Sequence, residues 1–310
     1  MVERKKYPLV IIGAGPAGLT ASIYASRYQL DHLVIGETLG GLAFEAYKIC
    51  NFPTEKEISG PKLMEKFNEQ IKSFKTPLLT DKVIDISQDK KMIKIVCQKG
   101  QTIWAEAILL AIGTKNRHLN LPAEDKYIGR GISYCATCDA MFYQNKVVAV
   151  VGGSDSANTT ALYLADTAQK VYQIYRREKL RGMPVWVEQI KNNPKITVIN
   201  QTRITGIKGE KKLEKVILDN PYQGKKELAV DGLFIEIGTI PNQTLIKKLS
   251  LKTDDQGYIK VKPDQKTNQP GVWAAGDITT ASNHFHQIIT ACSEGAIAVE
   301  SIFKFFQAKK

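Results

Sequence analysis

The apolar positions of this 310-residue chain gather in short runs, and two of those runs open the same succession of elements. In "YPLVIIGAGPAGLTASIYASRYQLDHLVIGE" residues 8–12 are apolar at nearly every position, as in a strand buried on both faces. The glycines after it predict a turn. Leu19 and Ile23 then fall at helical spacing, and the segment ending at Glu37 predicts a second strand. "KVVAVVGGSDSANTTALYLADTAQKVYQIYRR" repeats strand, turn, helix and strand. "AEAILLAIGTKNRHL", around Gly113, predicts a strand and crossover leaving the first unit, and "DGLFIEIGTIPN", around Gly238, the strand that returns to it. "KMIKIVCQKG" alternates and predicts a further strand with Cys97 buried in it. Near the C-terminus "QPGVWAAGDI" predicts a short strand ending at Gly276–Asp277, followed by a helix rich in small residues. The pattern is α/β, with one domain inserted into another: residues 1–115 and 245–310 against residues 116–244.

The turns carry the first chemistry. Gly13, Gly15 and Gly18 have the spacing of a dinucleotide fingerprint after a strand and before a helix, so both domains are expected to be Rossmann-like, in three layers. The first glycine permits the tight turn, and the second lets backbone approach a pyrophosphate. The third lets the helix pack on the strand, and free N–H groups at the helix start face the phosphates. Glu37 is placed to bond a ribose hydroxyl; the alternative is an ordinary exposed acid in a loop. The second turn, Gly152-Gly153-Ser154-Asp155-Ser156-Ala157, has serine at the middle position and alanine at the last, and the serine narrows the approach to a phosphate. Tyr175, Arg176 and Arg177 follow its second strand, with Arg181 a turn further on. Arginines there suit a ribose 2′-phosphate and favour NADPH over NADH, unless they are only a basic loop on a basic protein. Asp277 is an acid at a strand end that can bond the ribityl chain or pyrophosphate edge of a flavin.

"SYCATCDAMFYQNKVVAVVGG" sets a Cys-x-x-Cys, Cys135 and Cys138, just before the second turn. Such a pair can be half a zinc site, but Cys50, Cys97 and Cys292 are solitary and supply no second half, so no metal is expected. His284 and His286 form an H-x-H away from it. Five cysteines, an odd count, do not make a secreted disulfide framework. The basic, then apolar, start resembles a secretory leader, but its glycine spacing belongs to a nucleotide turn, so no leader is expected. No apolar run reaches a membrane span, and a cytoplasmic protein off the membrane is expected. The net charge of +12 is spread over scattered doublets such as Lys90–Lys91, Lys211–Lys212 and Lys225–Lys226, a pattern that argues against nucleic acid and leaves an anionic cofactor or an acidic partner.

With both turns, the cysteine pair and the terminal Gly-Asp assembled, the chain resembles the low-molecular-weight thioredoxin reductases over nearly its whole length. The resemblance rests on "GAGPAGLTASIYASR", "GGLAF", "ICNFP", "LPAEDKYIGRGISYCATCDA", "YRREKLR", "GTIPN", "GYI" and "GVWAAGDI". C-A-T-C-D at 135–139, ahead of the second turn, separates this family from glutathione-reductase-type enzymes and from ferredoxin–NADP reductases. The resemblance implies FAD held by Gly13, Gly15, Pro16, Ala17, Gly18, Glu37, Gly41, Leu42, Asn51, Val83, Gly276, Asp277, His286, Gln287 and Ile288. It implies NADPH at Gly152, Ser154, Asp155, Ser156, Ala157, Arg176, Arg177, Arg181 and Gly238. It implies a redox disulfide between Cys135 and Cys138, with Cys138 facing the flavin, Cys135 attacking the substrate and Asp139 transferring protons. The partner implied is a thioredoxin or a thioredoxin- or glutaredoxin-like protein, the assembly a homodimer, and the inserted domain turns on hinges near Gly113–Asn116 and Gly238–Asn242.

The chain also departs from the family's habit. Ser154 stands for a third glycine, Tyr175 for a histidine, Leu42 for a glutamine, and His286-Gln287 for Arg-Gln. Other readings are the same disulfide chemistry with another donor such as reduced ferredoxin, a flavoprotein redox sensor, and a peroxide-forming NADPH oxidase that would not need the cysteines. Cys50, Cys292, Trp273 and Phe285 are expected as packing residues in the core or near the flavin, and Asn51 either contacts flavin or forms a turn before Phe52-Pro53.

Overall fold

β1 (Lys5–Ile12) is exposed at its lysines and buried over its last four residues, as expected of a strand with parallel neighbours on both edges. The structure, a computed structural model, describes residues 5–89 and 92–309; residues 1–4 and 310 and the Lys90–Lys91 doublet lie outside the described residues. After β1 the chain forms α1 (Pro16–Arg27), β2 (His32–Gly36), α2 (Gly60–Ser73), β3 (Leu78–Thr80), β4 (Val83–Asp89), β5 (Met92–Cys97) and β6 (Thr102–Leu110). It crosses out through β7 (Thr114–Asn116) into α3 (Glu124–Tyr127), β8 (Ile132–Ser133), α4 (Ala136–Asp139), β9 (Val147–Val151), α5 (Asp155–Thr167), β10 (Lys170–Ile174), α6 (Pro184–Asn192) and β11 (Ile196–Ile199). An antiparallel trio follows, β12 (Ile204–Lys208), β13 (Lys215–Tyr222) and β14 (Lys225–Ala229), and then β15 (Gly232–Ile235). The chain returns through β16 (Thr239–Pro241), which pairs with β7, and ends with α7 (Gln243–Lys248), β17 (Val272–Ala274) and α8 (Ile288–Gln307).

Two compact units result: residues 1–44, 49–115 and 240–310, and residues 45–48 with 116–239. The second crossing therefore falls a few residues before 244, and the short segment 45–48 groups with the second unit. In the first unit the strand order is β3-β2-β1-β6, and one edge of β6 is shared. Its first half pairs with antiparallel β5, and its last three residues with parallel β17. In the second unit the order is β11-β10-β9-β15-β8, all parallel. Successive residues of a strand face opposite sides, so Val148 and Val150 enter one core cluster while Ala149 and Val151 enter the other. This two-sided burial is what the unbroken apolar run of β9 encodes.

The first glycine of each turn follows from close approach. A Cβ on Gly13 (φ +120°) would lie 2.0 Å from the Ala111 carbonyl oxygen, and one on Gly152 (φ +146°) 2.1 Å from that of Glu236. Each glycine N–H reaches the end of the next strand, Ile35 or Ile174. Both β1 and β9 thus reach their helices through three-residue turns that open on glycine.

Candidate active site

In the first unit α1 begins at Pro16, an N1 position that needs no N–H, and its N-cap Gly15 has no side chain with which to cap the first turn. A Cβ on Gly15 would meet only the Gly40 carbonyl, at 3.8 Å, and one on Gly41 would lie 3.6 Å from Gly15 Cα. Gly15 and Gly41 therefore wall a space with backbone alone. Ala17 and Gly18 are buried, Gly18 against the Gly13 carbonyl, and Leu42 is half-buried. Glu37, after β2, is exposed and paired with Lys82 at 3.1 Å, a surface pair weak enough for a ribose hydroxyl to displace. Val83 opens β4 beside Cys97.

The far end of the chain comes to the same unit. Asn51 Nδ2 donates to Gln287 Oε1 at 2.8 Å, joining two candidate residues far apart in sequence. Gln287 caps α8 reciprocally with Thr290, and Ile288 is its first residue. His286 Nε2 is buried without a hydrogen-bond partner among the described residues, and burial, then the nearby His284, holds its pKa down. Gly276 and Asp277 form the turn after β17. Burial and then the charge of Glu294 push the Asp277 pKa up to about 6.

Glu294 is the residue the pattern did not single out. Buried on α8, it accepts from Gly276 N at 2.8 Å, Thr279 Oγ1 at 2.9 Å and Ser282 Oγ at 2.7 Å. The one sign of it is an acid amid small and apolar helix residues. Two residues stand outside the core. Phe285 is 57% exposed after a short 3-10 turn, and Cys50 is exposed although its neighbour Ile49, bridged to Ile58, is buried. Trp273 and Cys97 are buried; Cys292 is half-buried, its Sγ near the Pro16 carbonyl.

In the second unit Ser154 caps α5 by position only, since its hydroxyl makes no capping bond, and Ser156 and buried Ala157 follow in the first turn. Asp155 is committed locally: its Oδ1 accepts from Met183 N at 2.6 Å, while Arg181 N donates to Gly153 O at 2.7 Å. The 176–183 loop is thereby laid over the turn. Arg176, Arg177 and Arg181 are exposed and, among the described residues, in no ion pair. The Tyr175 ring packs on Gly153, where any Cβ would strike it, and its hydroxyl is buried without a partner among the described residues. Gly238 is exposed on the way to β16.

Cys135 and Cys138 are joined as a disulfide across the single turn of α4. Ser133 Oγ braces the turn, bonding Cys135 N at 3.1 Å and Cys135 O at 3.2 Å. Thr137, between the cysteines, contacts Cys135 Sγ at 3.3 Å and donates to Glu45 O at 3.0 Å. Cys138 is the more exposed of the pair, and Asp139, half-buried, closes the turn through its N–H to Cys135 O. Immediately beyond, Met141 and Phe142 are 67% and 69% exposed. An apolar pair left in water beside a disulfide is unusual enough to suggest a contact surface.

Residues 7–295 match the family model described as pyridine nucleotide-disulphide oxidoreductase. The chain belongs to that family, in its thioredoxin reductase branch. It is 38% identical to a thioredoxin reductase of Peptoclostridium acidaminophilum, over 97% of this chain and 98% of the relative. It superposes on the Lactococcus lactis thioredoxin reductase with a TM-score of 0.91 at 34% identity, covering 97% and 99% of the two chains. A ferredoxin-flavin thioredoxin reductase from Clostridium acetobutylicum, 31% identical over 99% and 100% of the two chains, superposes with a TM-score of 0.54. The chain is thus a flavoprotein disulfide oxidoreductase of the thioredoxin reductase type, with FAD and a redox-active Cys-x-x-Cys disulfide. Among the described residues no helix is long and apolar enough to cross a membrane, and no group of three acidic, histidine or cysteine side chains is placed to hold a metal ion.

Proposed function

We propose that this reductase carries electrons from NADPH to its Cys135–Cys138 disulfide and on to a thioredoxin-like protein. The observation that carries the reading is that one unit bears both the disulfide turn and a nucleotide turn flanked by three arginines that form no ion pair among the described residues. The backbone-walled space at Gly15 and Gly41 and the orphaned His286 Nε2 fit FAD in the first unit. FAD bound there would supply what no side chain can, a centre that accepts a hydride and passes electrons to a disulfide. The chain's own part is to hold it by Gly13, Gly15, Asn51, Asp277 and Gln287, and to perform the thiol exchange.

In that exchange two electrons and two protons convert Cys135–Cys138 to thiols. The Cys135 thiolate then attacks the partner's disulfide, forming a mixed disulfide and releasing one partner thiolate. Cys138 attacks Cys135 Sγ, restoring the intramolecular disulfide and releasing the second. Asp139, one residue on, would protonate the departing sulfurs. Met141 and Phe142 offer the partner an apolar landing beside the reacting sulfurs. Arg176 and Arg177 would meet a ribose 2′-phosphate with charge-assisted bonds.

The second reading, reduced ferredoxin as donor, has one observation in its favour: the Tyr175 ring covers Gly153, where the turn would otherwise be open. Anaerobic titration separates the two. Bleaching of the flavin absorbance at near-stoichiometric NADPH but not NADH is expected. No bleaching with either nucleotide, in protein that dithionite still reduces, would overturn the NADPH reading. In Cys138→Ser, NADPH should still bleach the flavin while turnover of a disulfide substrate is lost.

A further inference from the structure

The two units place the same backbone around their glycine turns. Ala111 N donates to Ile12 O at 2.7 Å at the end of β6, and Glu236 N donates to Val151 O at 2.9 Å at the end of β15. The carbonyls of Ala111 and Glu236 are in turn the ones that a Cβ on Gly13 and on Gly152 would strike. Ala111 and Glu236 are therefore equivalent positions, and a carboxylate stands in the second unit where the first has a methyl group.

That position matters because of topology. The chain goes from β9 through α5 to β10 on one side, while β15 lies on the other side of β9. The carboxyl ends of β9 and β15 therefore flank the switch point, the crevice in which open α/β sheets bind their ligands. Glu236 stands in it. From α5, Thr160 Oγ1 donates to its Oε1 at 3.0 Å. From the 45–48 segment Glu45 adds a like charge, and no cation is paired with Glu236 among the described residues. A carboxylate so placed shares its crevice with any anionic diphosphate bound at the Gly152 turn, and a bound dinucleotide would strip it of water.

We propose that Glu236 is a nucleotide-contacting residue of the second unit and takes up a proton when the dinucleotide binds. Burial, and after it the Glu45 charge, already holds the free protein's Glu236 at a pKa of about 7, so the uptake falls in the working range of pH. The free carboxylate is half ionised there. Binding selects the protonated form, whose O–H can donate to a ligand acceptor while Thr160 keeps its bond. This inference rests on the dinucleotide reading of the second turn.

The test is NADPH affinity of the flavin-loaded protein from pH 6 to pH 8.5, by calorimetry in two buffers of different ionisation enthalpy. Glu236→Ala installs the residue the first unit carries at this position, and Glu236→Gln keeps the size and the Thr160 contact. Above its pKa the linked proton should weaken wild-type binding about tenfold per pH unit relative to either variant. The 2′-phosphate of the ligand titrates too, but equally for all three proteins, so the ratio isolates Glu236. The buffer comparison should show close to one proton taken up at pH 8 by wild type and none of this excess by the variants. Parallel pH profiles in all three proteins would overturn the inference and leave NADPH as donor. Absence of binding to any of them at every pH would overturn both.

Discussion

Replacing Glu294 by alanine should destabilise the first unit more than any substitution at the glycine turn's surface. Three donors converge on this buried carboxylate, from Gly276, Thr279 and Ser282. Ser282 is exposed and can turn to water, so its loss counts for little. Gly276 N and Thr279 Oγ1 are buried and would be left without an acceptor. A buried donor deprived of its partner costs roughly 1–3 kcal/mol, so two of them, with the lost packing of the side chain, amount to about 3–5 kcal/mol. At about 2–4 °C per kcal/mol for a unit of this size, the midpoint should fall by roughly 6–20 °C. Thermal unfolding of the flavin-loaded and flavin-stripped proteins is the assay, with Glu294→Gln as control. Glutamine keeps an acceptor at the same reach and should lose much less. The loaded protein should also release flavin more readily, because the Gly276–Asp277 turn is no longer held. An alanine variant within about 1 kcal/mol of wild type would refute the argument, since it would mean that the freed donors find other partners.

Asp277→Asn should stabilise the flavin-stripped protein at pH 7.5. Burial and then Glu294 raise its pKa to about 6, above its ordinary value of about 4, so between those two values the folded state holds a proton that the unfolded chain has lost. Stability therefore falls as pH rises through the window from about 4 to 6, and urea midpoints should show the variant's advantage at pH 7.5 vanish near pH 4. Changing Arg176 and Arg177 together to alanine should raise the Kd for NADPH by roughly 10- to 1000-fold, from two charge-assisted contacts of about 1.5–3 kcal/mol that are not fully additive, and leave the Kd for NADH within twofold; equal losses for both nucleotides would remove the 2′-phosphate assignment. Changing Met141 and Phe142 to serine should raise KM for the protein partner by about tenfold or more while reduction of a small aromatic disulfide is unchanged, the loss of buried apolar contact being about 1–3 kcal/mol; unchanged KM would move the docking surface elsewhere.

Much of the fold was legible because its information is local. A strand buried on both faces is apolar throughout, as at residues 147–151, and a strand that reaches its helix through so short a turn needs glycine at positions 13 and 152. Those two facts, repeated, define two Rossmann-like units, and the C-A-T-C-D string defines the branch of the family. The trio at 204–229 was not legible: β12 and β14 are only five residues long and bury one residue between them, so too few apolar positions mark a face. The exposure of Phe285 and Cys50 was equally hidden, because an aromatic or a cysteine in a loop looks the same in sequence as one in the core.

What only the tertiary structure decided are the meetings between distant segments. Asn51 with Gln287, Glu294 with the Gly276 turn, the Tyr175 ring on Gly153 and Glu236 at the switch point each depend on which strand lies beside which. Sequence fixes a residue's own backbone preference and the period of its neighbours, both of which act over a turn or two. The acid that holds a turn, or the one that shares a crevice with a ligand, is chosen by packing across tens of residues, and no local pattern records it.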